Sequence, residues 1–156
     1  MANDEAWVTR TITETLDGVD VLVAAGDSYF YYEPDPSVTP DRRFPFATLV
    51  TSDQHDPFSN LERPSVFRLN VGVSKETFRS LFGDRAQDAT VDELATGEYD
   101  FAALDTIMPH PVYGNMYWVC VLNPSEATFV QVQSLLDEAH AMAVKRYTAR
   151  QTTGES

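Results

Sequence analysis

Cysteine occurs once in this chain, at Cys120, so no disulfide can form within it. A lone thiol suits a reducing compartment better than a secreted, stapled scaffold. Basic residues are scarce as well: 11 Lys and Arg stand against 24 Asp and Glu, a net charge of −13. A surface with that balance repels phosphate backbones and anionic headgroups at long range. It argues against nucleic acid or a membrane surface as partner. Solubility alone would account for the charge, and no local acidic run marks a dock for a basic protein. Long hydrophobic runs are missing too, none approaching the ~18 residues of a spanning helix. The opening residues Met1 to Glu5 are acidic where a secretory leader would be basic. The expectation is a soluble, cytoplasmic protein.

What is present suffices for a core. The chain has 156 residues, 43% of them apolar and 12% aromatic. A domain of that length buries roughly 70% of its unfolded surface. Residues 1–147 read as one α+β domain and residues 148–156 as a frayed tail.

The chain turns on Met108 to Ser125. A stiff loop, Met108-Pro109-His110-Pro111, leads into an apolar run, and Asn123-Pro124-Ser125 stops that strand and caps the last helix. Before it, Asn3 or Asp4 caps a helix whose Val8, Ile12 and Leu16 recur every four residues. Val19–Ala25 and Ser28–Glu33 form a hairpin about Gly26-Asp27. Phe46–Thr51 and Val66–Val73 are the third and fourth strands, the latter with Phe67, Leu69, Val71 and Val73 on one face. Ser74 caps a short helix closed by Gly83, and Thr90-Val91-Asp92-Glu93 has the form of a capping box. Tyr117–Leu122 is the fifth strand. The final helix carries Phe129, Val132, Leu135, Leu136, Ala139 and Ala143 on one stripe. The order α-β-β-β-β-α-β-α predicts a mainly antiparallel five-stranded sheet with helices packed on it.

Four stretches carry a resemblance. Arg42-Arg43-Phe44-Pro45-Phe46-Ala47-Thr48, Arg68 to Val73, Met108 to Tyr113 and Tyr117 to Ser125 together resemble a family of small bacterial proteins catalogued as domain of unknown function 6194. The likeness spans about residues 5 to 146. It implies the same fold and carries no activity with it. More distantly, the order of elements is similar to that of YjbR-like proteins, in which a Trp-bearing strand also runs into the last helix. YjbR-like proteins are often labelled DNA-binding, and the charge of −13 stands against that role here.

Two polar loops hold the candidate chemistry. His55 lies in Ser52-Asp53-Gln54-His55-Asp56, and His110 lies between two prolines that fix its backbone. Brought together with Asp53 and Asp56, they would make an acid–base pair or part of a metal site, although no compact metal-ligand spacing occurs. The plainer reading has His110 packing the loop and His55 solvated. Tyr113, Tyr117 and Trp118, with Tyr29 to Tyr32, concentrate rings that would stack a flat ligand or simply fill a core. Arg42 and Arg43 would grip an anion or pair with neighbours such as Asp41. Cys120, inside an apolar strand, lacks the exposure and positive neighbour of a nucleophile. His140 belongs to the packing of the last helix.

The favoured reading is a non-enzymatic small-ligand or protein-binding module without a cofactor. Its ligand site comprises His55, His110, Tyr113, Asp53 and Arg43, between the 52–64 and 108–116 loops. The alternative is a His-based or metal-assisted hydrolase at the same place.

Overall fold

The computed structural model describes residues 4–34, 44–83 and 99–154. Arg42, Arg43 and the capping box at residues 90–93 lie outside the described residues. Helix α1 (Glu5–Thr15) starts where the Asp4 carboxylate accepts from the Trp7 amide at 2.8 Å, and its Val8 and Ile12 are buried one turn apart.

The sheet is antiparallel throughout. Strands β1 (Val19–Ala24) and β2 (Asp27–Tyr32) form the expected hairpin, but its turn is Ala25-Gly26. Both turn residues have positive φ, 53° and 85°, as a two-residue turn matched to strand twist demands. Asp27 is thereby freed to pair with Ala24, and its carboxylate is fully buried.

Next come β3 (Ala47–Val50) and β4 (Arg68–Gly72). The chain then adds a two-residue strand, β5 (Met108–Pro109), and β6 (Trp118–Leu122). The spatial order is β1-β2-β3-β4-β6-β5. Among the described residues the sheet thus has six strands where five were expected. The extra one is short enough to read as loop, and its Pro109 is tolerated because it sits on the sheet's edge. The apolar ribbon Trp118–Leu122 runs between β4 and β5, inside the sheet.

Helix α2 (Lys75–Phe82) is capped by Ser74, whose hydroxyl accepts from the Thr77 amide at 3.2 Å. Helix α3 (Glu126–Gly154) starts at Ser125 and continues through the segment read as a frayed tail. The two are tied together by the Glu138 carboxylate, which accepts from the Ser74 amide at 3.0 Å and from the Thr77 hydroxyl. Among the described residues, no helix is long and apolar enough to cross a membrane.

Period-2 alternation divides the sheet into two unlike faces. Phe30, Leu49, Leu69, Val71, Val119 and Val121 face the helices and join Val8, Ile12, Phe78, Val132 and Leu136 in the main core. His140 packs beside this core, with its Nε2 2.7 Å from the Asp17 carbonyl and its ring edge-on to Tyr32 and Phe46. On the other face, Val50, Cys120 and Leu122 meet Leu61, Val66, Phe101 and Met108 in a second, smaller cluster. That cluster covers only part of the face. The remainder is a cavity.

Candidate functional site

The cavity has a volume of about 410 Å³. Its floor is made by alternate strand residues: Tyr29 of β2, Thr48 and Val50 of β3, Arg68 and Asn70 of β4, and Trp118 of β6. His55 and Asp56 enter from one side, His110, Val112, Tyr113 and Met116 from the other, and Phe44 and Pro45 close the rim.

His110 is held by its own loop. Its Nδ1 accepts from the amides of Val112 and Tyr113, both at 3.0 Å, in the manner of an Asx turn. The amide of His110 donates to the Trp118 carbonyl at 2.9 Å, tethering the loop to β6. The side chain is 3% exposed. Burial, then the nearby charge of Arg68, push the imidazole down to about 3, with Asp56 opposing them weakly. It is therefore neutral near pH 7, with Nδ1 fixed as acceptor and the proton on Nε2.

Arg68 is the most unusual floor residue, a guanidinium 2% exposed. Asp56 clamps it bidentately, Nη1 to Oδ1 at 3.1 Å and Nη2 to Oδ2 at 2.8 Å, and Ser59 Oγ accepts from Nη1 at 2.9 Å. Burial pushes the Asp56 carboxyl up, but hydrogen bonds and charge from Arg68 outweigh it and the net shift is downward. Arg68 Nε remains without a partner. Asn70, two residues on, donates from Nδ2 to Thr48 Oγ1 at 3.0 Å and leaves Oδ1 unpartnered and buried. Buried polar atoms are rarely left so.

His55 is placed differently. Its side chain is half exposed, and Nε2 lies 2.8 Å from Oδ2 of the buried Asp27 and 3.4 Å from the Tyr29 hydroxyl. The same carboxylate accepts from the Thr51 amide at 3.0 Å and from Gln54 Nε2 at 2.6 Å. Asp27 thus pins the start of the loop to the hairpin.

Of the residues singled out from sequence, His55, Asp56, His110 and Tyr113 line this one cavity. The Tyr113 ring is tilted against that of His110, with centroids 5.0 Å apart. Asp53 is not among the lining residues; its carboxylate accepts from the Leu61 amide at 2.8 Å and closes the loop instead. Arg43 is outside the described residues. Of the ring cluster, Tyr29, Tyr113 and Trp118 line the cavity, whereas Tyr32 and Tyr117 pack on the helix-side core. Cys120 is fully buried, and burial pushes its thiol up to about 12. Among the described residues, no group of at least three His, Cys, Asp or Glu is arranged to hold a metal ion.

Arg68 and Asn70 escaped the reading of the sequence. Their signal is the alternation Arg68-Leu69-Asn70-Val71-Gly72, which puts a charge and an amide on the second face of a central strand. Gly72 completes that face. A Cβ added there would lie 3.0–3.3 Å from three indole atoms of Trp118, its cross-strand partner. Gly72→Ala is expected to displace the indole and cost roughly 1–2 kcal/mol, within the usual cost of overpacking. The check is the Trp118 indole N–H resonance, which should shift while that of Trp7 stays. An unmoved Trp118 signal would show that the strand does not set the ring.

The sequence model of a family of unknown function, DUF6194, matches residues 3–152. The chain belongs to this family. No curated protein and no solved structure gives a significant match. Three of the stretches that carry the resemblance contribute cavity residues: Phe44 and Pro45, Arg68 and Asn70, His110 and Tyr113. A fourth contributes Trp118. The YjbR-like likeness, drawn from element order and one Trp-bearing strand, is not confirmed by these comparisons.

Proposed function

We propose that the chain is a binding module for a small molecule, held in the cavity between the 52–64 and 108–116 loops. The observation that carries this reading is the pairing of an incomplete polar floor with an apolar rim. Arg68 and Asn70 each bury a polar atom without a partner, on residues that line a concave, mostly apolar space. At the mouth, Phe44, Tyr113 and Met116 are 78%, 52% and 63% exposed. A volume of about 410 Å³ falls in the range of small-molecule sites.

Binding without turnover fits the ionisable groups. Arg68 is committed to Asp56, and an imidazole pushed down to about 3 is a poor base at neutral pH. The setting is a reducing cytoplasm and a single domain, with no nucleic-acid partner, in keeping with one buried thiol and the charge of −13.

A second reading, hydrolysis with His55 as general base, is favoured by one contact only. Buried Asp27 holds His55 Nε2 at 2.8 Å, which orients the ring and, with the proton on Nε2, leaves Nδ1 as its acceptor, a carboxylate–imidazole pairing. The structural work Asp27 does for Thr51 and Gln54 explains the same contact without catalysis.

A fragment library screened by protein-observed NMR tests the proposal. Hits should cluster on the Trp118 indole and the 108–116 loop, and Trp118→Ala should abolish them while His55→Ala changes their affinity by no more than a few-fold. Absence of hits, or hits elsewhere on the surface, overturns the binding site. Hydrolysis of ester or amide fragments, lost in His55→Ala, would favour the second reading.

A further inference from the structure

The cavity's chemistry narrows its ligand, taking as given the proposal that a small molecule binds there. We infer that it takes a neutral, flat heterocycle presenting a hydrogen-bond acceptor and a donor on one edge, a cyclic amide of the lactam or nucleobase type. Three observations lead to this class.

The floor offers polarity without net charge. Arg68 looks like an anion receptor, but both of its terminal nitrogens are engaged by Asp56, an ion pair with side chains only 2% and 5% exposed. An incoming carboxylate would have to displace Asp56 or sit beside it, and like charges at close range in a dry site repel strongly. The excess of acidic residues over the whole chain works in the same direction at long range.

What remains open, besides the N–H at Arg68 Nε, is a donor on His110 and an acceptor on Asn70. With the single lone pair of His110 Nδ1 shared by two backbone amides, the imidazole has only Nε2–H to give. Asn70 has Oδ1 to accept with, and its terminal amide torsion is soft enough to turn toward a ligand. A ligand carbonyl facing His110 and a ring N–H facing Asn70 would satisfy both. Adjacent C=O and N–H groups on one ring edge define a cyclic amide.

The walls call for a ring. Trp118, held in place over Gly72, and Tyr113, tilted on His110, border the same space, and aromatic walls reward planar, polarisable ligands. Rejection of a ligand lacking the right edge should be steep, because it would strand buried polar groups.

Three probes of one shape separate the possibilities: 2-quinolinone, its N-methyl derivative, and quinoline-2-carboxylate, titrated by NMR and calorimetry. The expected result is that 2-quinolinone binds in the cavity. N-methylation should weaken it about tenfold or more, and the carboxylate should bind least. In Asn70→Ala the first two should bind alike. The N-methyl comparison on the unaltered protein reads the donor contact even if Asn70→Ala does not fold. Equal binding of the first two probes, or preference for the carboxylate, overturns the ligand class and leaves the cavity as a binding site. The class also fails if none of the three binds while other fragments still map to Trp118. If no fragment maps there, the site itself fails.

Discussion

Asp56→Ala is expected to lower the unfolding free energy by about 3–5 kcal/mol, the cost of stranding one member of a buried ion pair. The reason lies in what would be left behind. Arg68 is 2% exposed, central in the sheet, and hydrogen-bonded through both terminal nitrogens to the two oxygens of Asp56. Without them it would keep one side-chain acceptor, Ser59 Oγ. Its charge cannot be shed, since a guanidinium stays protonated. Asp56 also accepts from the Phe58 amide at 3.2 Å, so part of the loss would fall on the 52–64 loop. Urea unfolding should show a lower midpoint at similar m. A double replacement, Asp56→Leu with Arg68→Met, should recover most of the loss, because packed apolar groups commonly match a buried pair in stability. A cost for Asp56→Ala below about 1 kcal/mol would mean that Arg68 reaches solvent, and the dry polar floor would have to be given up.

The same residue pair marks the limit of what the sequence reveals. The apolar half of Phe67-Arg68-Leu69-Asn70-Val71-Gly72-Val73 announces a strand with one face on a core, and Leu69 and Val71 do lie there. The polar half looks like an ordinary solvent face. It is buried because residues 51–66 and 99–108 fold back over it, a long-range event without local periodicity. The positions of the two histidine loops were legible for the opposite reason. Prolines at 109 and 111 and the β-rich run after them are local signals, and antiparallel pairing of β4 with β6 then fixes where the loop opens. Local signals failed at small scale. Ala25 has no turn preference to set against Gly26-Asp27, and it adopts φ 53° only because the ladder closes at Ala24 and Asp27. Asp53 and Asp56 are indistinguishable as sequence, three residues apart in one loop. Tertiary contacts alone make one a loop tie and the other the counter-ion of Arg68.

Acidification should expose the second consequence of the buried floor, this time through His110. Its folded value, about 3, lies below the ordinary imidazole value of 6.5. Between those two values the unfolded chain binds a proton that the folded chain refuses, so stability is highest above 6.5 and declines as pH falls toward 3. At ~1.4 kcal/mol per unit, this group alone should remove roughly 3 kcal/mol by pH 4. Asp56 acts in a different window. Its folded carboxyl is held below the ordinary carboxylate value of 3.8, so its contribution is complete above that pH and fades only as pH falls below it. His110→Asn separates the two. An asparagine oxygen can take the place of Nδ1 and accept from Val112 and Tyr113, keeping the loop closed without a titrating group. That variant is expected to start lower at pH 7, because the smaller side chain leaves space, by roughly 1–2 kcal/mol. Its decline between pH 6.5 and 4 should then be shallower than the parent's by close to one proton's worth of slope. Unfolding free energies at half-unit pH steps measure both curves. Parallel curves would mean that the imidazole charges freely in the folded state. In that case Nδ1 would not be locked as the acceptor of the Val112 and Tyr113 amides, the tautomer would be open, and a carbonyl would lose its special claim on the cavity.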